Sequence, residues 1–143
     1  MSKKFPTVWK ISEHTIAKHK ILRSYFRAWL PIVGQKFPKV AYIDGFCGPG
    51  QYVGGEKGSP LIVIEDAVEI FSNATTRRKE GLTLELFFID EDSKRIEHLN
   101  SLLEEIEIAS PGVHLHGPIN DQFDRALPGI LSTIGSGTTI PLF

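Results

Sequence analysis

The chain has 143 residues, of which 41% are hydrophobic, and this is enough apolar material for the core of one domain. It has no apolar run of about 18 residues, so the sequence predicts no membrane span, and its single cysteine excludes an internal disulfide and fits a reducing, cytoplasmic compartment. The formal net charge of −1 conceals an asymmetry, because residues 1–40 carry nine Lys and Arg against Glu13 alone, a net +8, whereas residues 41–143 carry a net −9. A basic segment of this kind indicates either contact with nucleic acid or pairing with the acidic surface of its own domain.

Residues 13–33 are predicted to form the first helix, because apolar side chains recur at steps of three and four residues. Ser12 is a suitable N-cap, and Pro31 is expected to kink or end the helix. We assign residues 1–39 to a basic helical segment and residues 40–143 to the main domain. Basic side chains on one face of the helix are candidates for contact with a nucleic-acid backbone: Lys18, Lys20, Arg23 and Arg27.

Residues 40–50, VAYIDGFCGPG, have the pattern of a buried strand that ends in a carboxylate and passes into a glycine-rich turn. In open α/β sheets ligands bind beyond the carboxyl ends of the strands, so Asp44 and this turn form a candidate site. A dinucleotide fingerprint requires glycine where the chain has Val53, and a P-loop requires Ser or Thr where Gly58 follows Lys57. An ordinary strand-to-helix turn without a ligand is the remaining alternative.

Ser59 and Pro60 are predicted to begin a second helix, since serine caps helices and proline fits their first position. The nearly continuous apolar run of residues 84–89 predicts a second strand that is covered on both faces. Asp90 follows this strand directly, at the position where nucleotide-binding α/β domains hold a ribose with one carboxylate. Asp90 is therefore a candidate ligand-binding residue.

Residues 93–108 are predicted to form a third helix, capped by Asp92 or by its own first residue. The short strand that follows, residues 113–116, carries His114 and His116 on one face. Two imidazoles at this spacing could bind a metal, but no cysteine or acidic third ligand lies at a typical spacing in the sequence. We therefore predict no metal site.

Asn120 and Asp121 are expected to cap a fourth helix, which Pro128 must kink or split. The run of residues 138–143 has the composition of the first half of a further buried strand, so we expect a fragment of a longer protein, truncated after the start of its fourth strand. Strands that alternate with helices imply right-handed crossovers. The predicted fold class is therefore α/β, with a doubly wound parallel sheet.

The pattern Asp44-x-Phe46-x-Gly48-x-Gly50 resembles the first motif of the class I S-adenosylmethionine-dependent methyltransferases. Three further runs extend the likeness over the whole chain: residues 9–14, residues 21–32 and residues 58–61. Together they resemble the bacterial three-Cys-motif partner family, methyltransferase-like proteins encoded next to a radical-SAM-type protein with a three-cysteine motif. The resemblance implies a Rossmann-like domain that binds S-adenosylmethionine.

The resemblance also implies roles for particular residues. The glycine loop would lie under the methionine part of the cofactor, Asp44 would face its ammonium group, and Asp121 or Asn120 would meet the adenine amino group. The cofactor-binding set is Asp44, Gly45, Phe46, Gly48, Gly50, Asp90 and Asp121. In the family, an Asp-Pro-Phe-Gly segment that helps place the methyl acceptor is expected to follow Phe143, so no catalytic residue is assigned in this chain.

The sequence therefore predicts a methyltransferase-like protein that acts on nucleic acid. The alternative is a non-catalytic cofactor-binding module that serves a neighbouring radical-SAM-type protein. An NAD-dependent oxidoreductase is disfavoured because the third glycine of its fingerprint is displaced. Cys47, inside the glycine loop, is predicted to be a small packing residue rather than a nucleophile.

Overall fold

The structure, a computed structural model, describes residues 8–72, 81–108 and 110–135. These residues form α1 Glu13–Val33, β1 Lys39–Asp44, α2 Ser59–Ser72, β2 Thr83–Asp90, α3 Ser93–Glu104, β3 Val113–Asn120 and α4 Phe123–Ile134. The strands are parallel and lie in the order β1-β2-β3. The described part of the chain is thus α/β with a parallel sheet, as predicted. The predicted start of a fourth strand, residues 138–143, lies outside the described residues.

The two faces of the sheet belong to two different apolar clusters. Tyr42 of β1 and Leu86 of β2 pack with residues of α1, α2 and α3, whereas Ile43 and Phe87 pack with residues of α4. Successive strand residues point to opposite faces, and here both faces are covered by helices. This explains why β1 and β2 have nearly continuous apolar sequences, whereas β3, VHLHGPIN, which lies at the end of the strand order, is only partly buried.

The predicted starts of α1, α2 and α3 are confirmed. The hydroxyl of Ser12 accepts a hydrogen bond from the amide of Thr15 at 3.2 Å, and Asp92 is the N-cap of α3. Ser59 begins α2, but its hydroxyl donates to Asp44 instead of capping the helix. Within the three described ranges, no helix is long and apolar enough to cross a membrane.

The prolines interrupt the helices less than predicted. α1 continues past Pro31 to Val33, because the amide of Gly34 still bonds to the carbonyl of Leu30 at 2.9 Å and completes the last turn. α4 runs unbroken through Pro128, so of the two predicted outcomes, a kink or a split, the split does not occur. The expectation that proline ends a helix neglected the support that tertiary packing gives to the turns on either side.

The third helix is shorter than predicted and the third strand is longer. α3 ends at Glu104 because a run of acidic residues at 104, 105 and 107 faces the negative end of the helix dipole. β3 continues to Asn120 because a register shift absorbs Gly117, which has φ +53°, and Pro118. Bulges of this kind allow proline and left-handed glycine within a strand.

Candidate functional site

The glycine loop after β1, residues 45–50, is hydrogen-bonded to the end of β2. The amide of Cys47 donates to the carbonyl oxygen of Ile89 at 2.9 Å, and the amide of Gly48 donates to Oδ2 of Asp90 at 3.0 Å. Two motifs that are 42 residues apart in the sequence are therefore joined directly. The contact positions the loop backbone beside the carboxylate that follows the second strand.

Asp90 is only 5% exposed, and three groups of the protein contact its side chain. Besides the bond from Gly48, its Oδ1 accepts from the amide of Asp92 at 2.9 Å and lies 3.5 Å from Nη1 of Arg95. A carboxylate has about four acceptor positions, so these contacts leave capacity for a ligand. Asp90 is an oriented acceptor at the carboxyl end of the sheet.

The carboxylate of Asp44 accepts two hydrogen bonds within the protein. Its Oδ1 accepts from the amide of Phe46 at 3.2 Å, and its Oδ2 accepts from the hydroxyl of Ser59 at 2.6 Å. Burial raises the pKa of Asp44, and the nearby charge of Asp90 raises it further. The carboxylate thus links the loop to α2 and lines a small cavity of about 280 Å³ under α1.

A cavity of about 310 Å³, which we call the strand-end cavity, lies beyond the carboxyl ends of β1, β2 and β3. Its walls come from the glycine loop, the ends of β2 and β3, the start of α4 and the N-terminal segment. Five of the seven predicted cofactor-binding residues line it: Gly45, Phe46, Gly48, Asp90 and Asp121. Asp44 and Gly50 do not.

The two positive-φ glycines of the loop have different surroundings. Gly48 has φ +69°, and a Cβ added to it would meet no atom within 4 Å. Gly50 has φ +85°, and its Cβ would lie 2.7 Å from Cδ1 of Leu99. A side chain at Gly50 would therefore crowd α3, whereas Gly48 leaves open space beside the cavity. The prediction that Gly50 binds the cofactor stays a prediction.

The sequence did not identify the cover of the strand-end cavity, to which Trp9, His19, Tyr52 and Arg95 contribute. The carbonyl of Trp9 accepts from the amide of Val53, and its ring lies 6.0 Å from that of Tyr52. The guanidinium of Arg95 lies 5.1 Å from the centroid of Trp9, which is a cation–π contact. These residues come from four parts of the chain with no shared spacing. Trp9 belongs to the run of residues 9–14 that contributes to the family resemblance, but nothing in that run indicated a cavity.

The end of β3 is arranged differently from the predicted cap. The amide group of Asn120 donates to the carbonyls of Asp90 and Glu91 at 3.2 and 3.1 Å, so it ties β3 to β2. Asp121 accepts from the amide of Gln122 at 2.8 Å, and Gln122 is the N-cap of α4 without a side-chain hydrogen bond. The prediction that Asn120 or Asp121 caps α4 was wrong, and Asp121 instead lines the strand-end cavity.

An aromatic pair lies at the rim of the same cavity. Phe46 is 80% exposed, and its ring centroid lies 6.0 Å from that of Phe123. A Cβ at Gly45 would lie 2.5 Å from Cδ2 of Phe123, so glycine is required there for α4 to approach the loop. The pair provides an apolar surface beside the acidic strand ends.

The predicted basic face of α1 is only partly available to a partner. Nε and Nη2 of Arg27 contact the fully buried Asp66 at 3.0 and 2.9 Å, and Nη2 also contacts Glu69 at 2.8 Å. Arg23 lies 3.6 Å from Asp66 and 3.5 Å from Glu65. These two arginines join α1 to α2. For Arg23 and Arg27, the basic segment therefore pairs with acidic residues of its own domain, the second of the two predicted roles.

Cys47 is 5% exposed and belongs to the main apolar cluster, in agreement with its predicted packing role. Burial raises the pKa of its thiol, and the nearby carboxylates of Asp44 and Asp90 raise it further. A thiol in this environment stays protonated at neutral pH and is a poor nucleophile.

His114 and His116 share an acidic neighbour that their spacing did not reveal. Glu85, on the adjacent strand, lies 2.8 Å from Nδ1 of His114 and 3.6 Å from Nε2 of His116. In the part of the chain that the structure describes, no group of three His, Cys, Asp or Glu side chains is arranged to hold a metal ion. The contacts of Glu85 with the two histidines join β2 to β3.

No protein-family model, curated protein or solved structure matches this chain.

Proposed function

We propose that this chain is the cofactor-binding part of a class I S-adenosylmethionine-dependent methyltransferase-like protein of the three-Cys-motif partner kind. The observation that carries the proposal is the hydrogen bond from the Gly48 amide to Asp90, which brings the glycine loop and the strand-end acid to one cavity. The cavity volume of about 310 Å³ falls at the lower end of the range for small-molecule sites.

The residues around the strand-end cavity fit such a cofactor. The backbone at Gly48 leaves open space on the cavity side, and Asp90 and Asp121 offer acceptors for hydroxyl and amino groups. Three carboxylates line the cavity against one guanidinium, that of Arg95, and this balance suits a ligand that carries a sulfonium and an ammonium. When bound, S-adenosylmethionine supplies an activated methyl group, and the protein's part is to bind and orient it.

Nucleic acid as the methyl acceptor has narrower support. Arg23 and Arg27 already pair with α2, whereas Lys18 and Lys20 form no ion pair with another described residue. The proposed phosphate contacts therefore reduce to these two lysines and the basic residues near the N-terminus. The partnership with a radical-SAM-type protein belongs to the non-catalytic alternative, for which cofactor binding without methyl transfer is the expected behaviour.

Calorimetric titration with S-adenosylmethionine, and separately with NAD, tests the cofactor. We expect one site for S-adenosylmethionine and no heat with NAD. Asp90→Ala should weaken binding by about 1.5–3 kcal/mol, the scale of a hydrogen bond to a charged group.

Glu97→Ala is the matched control, because Glu97 is an exposed carboxylate on α3 outside the cavity. It should bind like the unmodified chain. An unchanged dissociation constant for Asp90→Ala, with the fold intact by circular dichroism, or preferential binding of NAD, would contradict the proposal.

A further inference from the structure

α1 has two apolar faces, and one of them is directed away from the core. Leu22, Phe26 and Leu30 are buried in the main apolar cluster. Ile21 and Ile32, on another face of the helix, are 69% and 59% exposed. Singly exposed apolar side chains are common on protein surfaces, but a row of them on one helix face marks an interaction surface.

The exposed apolar residues of this face form one row, which we call the outer stripe: Ile21, Tyr25, Ala28 and Ile32. Their spacing of four, three and four residues keeps them on one side of the helix over about 17 Å. This is the a/d spacing of a seam between two helices, in which side chains of one helix insert between those of the other. Ala28 leaves room within the row for a larger side chain of a partner.

The charges at the two ends of the outer stripe are positive. Lys18 lies about one turn before the stripe and Lys36 follows it, and both are exposed. Neither forms an ion pair with a described residue, whereas Arg23 and Arg27 are paired with acidic residues of α2. The only acid of α1 is Glu13, at the start of the helix. A partner that brings carboxylates beside an apolar seam therefore complements the charge of this face.

We propose that the outer stripe is a docking surface for an acidic amphipathic helix of a partner protein. The apolar side of the partner helix packs along Ile21 and Ile32, and its flanking carboxylates meet Lys18 and Lys36. None of these four residues lines the strand-end cavity, so docking does not depend on the cofactor proposed above.

Other occupants fit the outer stripe less well. A second copy of α1 would place lysine beside lysine in either orientation, because Lys18 and Lys36 lie at opposite ends of one row. A nucleic-acid backbone is bound by cations spaced along a surface, but here apolar side chains separate the two lysines. A membrane surface favours a broad apolar face, whereas a strict a/d row is the narrower seam of a helix pair.

The probe is a fluorescein-labelled peptide of about three heptads with Leu at a and d and Glu at e and g, and its match carries Lys at e and g. Fluorescence anisotropy with the unmodified chain should show binding of the acidic peptide and much weaker binding of the basic one. Ile21→Asn or Ile32→Asn should weaken binding of the acidic peptide by about tenfold or more, the scale of one buried isoleucine. Leu131→Asn, a similar change at an exposed position of α4, is the matched control and should have no effect.

Reversal of one charge tests the second part of the proposal. Lys18→Glu should weaken binding of the acidic peptide about fivefold and strengthen binding of the basic peptide, and both effects should shrink at high salt. Lys10→Glu, at an exposed lysine before α1, is the control. Equal affinities of the two peptides, or equal effects of the isoleucine variants and Leu131→Asn, would overturn the proposal.

Three further measurements distinguish the other occupants by their dependence on the isoleucines. Self-association in sedimentation equilibrium that Ile21→Asn abolishes would assign the outer stripe to a second copy. Binding to phosphatidylglycerol vesicles that Ile32→Asn abolishes would assign it to a membrane, and binding of a single-stranded oligonucleotide with the same dependence would assign it to nucleic acid. We expect none of these three results, and any one of them would overturn the acidic helix as the occupant.

Discussion

Two glycines of the loop after β1 have left-handed backbone conformations but different side-chain environments, and their substitution should separate strain from crowding. Gly48→Ala should destabilise the fold by about 1–2 kcal/mol, the cost of a left-handed alanine. Gly50→Ala should destabilise the fold by this amount and by about 1–3 kcal/mol more, because its methyl group would lie 2.7 Å from Cδ1 of Leu99. Urea unfolding of the two variants measures the difference, and equal losses would show that the contact with Leu99 is relieved at little cost.

The carboxylate of Asp44 should make stability depend on pH in an unusual direction. Burial raises its pKa in the folded chain, so the folded state holds the proton more tightly than the unfolded state. The resulting stabilisation is present in full below the unfolded-state pKa and is lost as the pH rises through the folded-state pKa.

Asp44→Asn should therefore raise the free energy of unfolding at pH 7. It should also reduce the fall in the free energy of unfolding that the unmodified chain shows as the pH rises above the ordinary aspartate pKa. An asparagine can keep both hydrogen bonds, since its oxygen accepts from Phe46 and its amide donates to Ser59. Urea unfolding at a series of pH values checks this. A variant that is less stable than the unmodified chain at pH 7 would mean that the charged form is favoured in the fold.

At the scale of the elements, the contact between α1 and α2 depends on a buried charge. Asp66 is fully buried, and Arg23 and Arg27 supply its positive partners. Reversing both arginines to glutamate should cost roughly 2–4 kcal/mol, somewhat less than a fully buried pair because the arginines are themselves partly exposed. Reversing exposed Lys10 and Lys36 is the matched control in a thermal-unfolding experiment, and equal losses in the two double variants would contradict the argument.

The starts of α1 and α3 were predictable because their signals are local, whereas the start of α4, at Gln122 without a side-chain cap, was not. Ser12 and Asp92 cap helices through hydrogen bonds that span two or three residues, which a sequence displays directly. The ends were harder, because they depend on contacts made by distant residues. Pro128 is tolerated inside α4, and β3 continues through Pro118, where the adjacent strand accommodates a register shift.

At the scale of the whole molecule, the acids at the strand ends were predictable from topology, whereas the cavity cover was not. Because β2 and β3 are parallel, Asp90 and Asp121 lie together at the carboxyl ends of the strands, and the loops between the strands do not affect this. The position of Gly50 against Leu99, and of Trp9 against Arg95, depends on how α3 packs beside the glycine loop. No spacing in the sequence encodes that packing.

The charge asymmetry of the whole chain leads to a test of nucleic-acid binding. With Arg23 and Arg27 engaged by α2, the contribution of α1 depends on Lys18 and Lys20. Substitution of both lysines by glutamine should flatten the slope of log affinity against log salt by about 1.4–1.8, at 0.7–0.9 for each lost phosphate contact. Fluorescence anisotropy with a labelled oligonucleotide at several salt concentrations gives the slope. An unchanged slope would remove α1 from the nucleic-acid surface.

Trp9 lies at the strand-end cavity, so its fluorescence can report what binds there. The chain has two tryptophans, and Trp29 packs against the main apolar cluster, away from the cavity lining. Trp9 borders the cavity with a guanidinium 5.1 Å from its ring, so its emission is sensitive to any ligand that displaces water or moves Arg95. The difference in emission between the unmodified chain and Trp9→Phe is therefore the signal of Trp9, which reports ligand binding in the cavity without a label. The emission of Trp29 reports unfolding in the same sample.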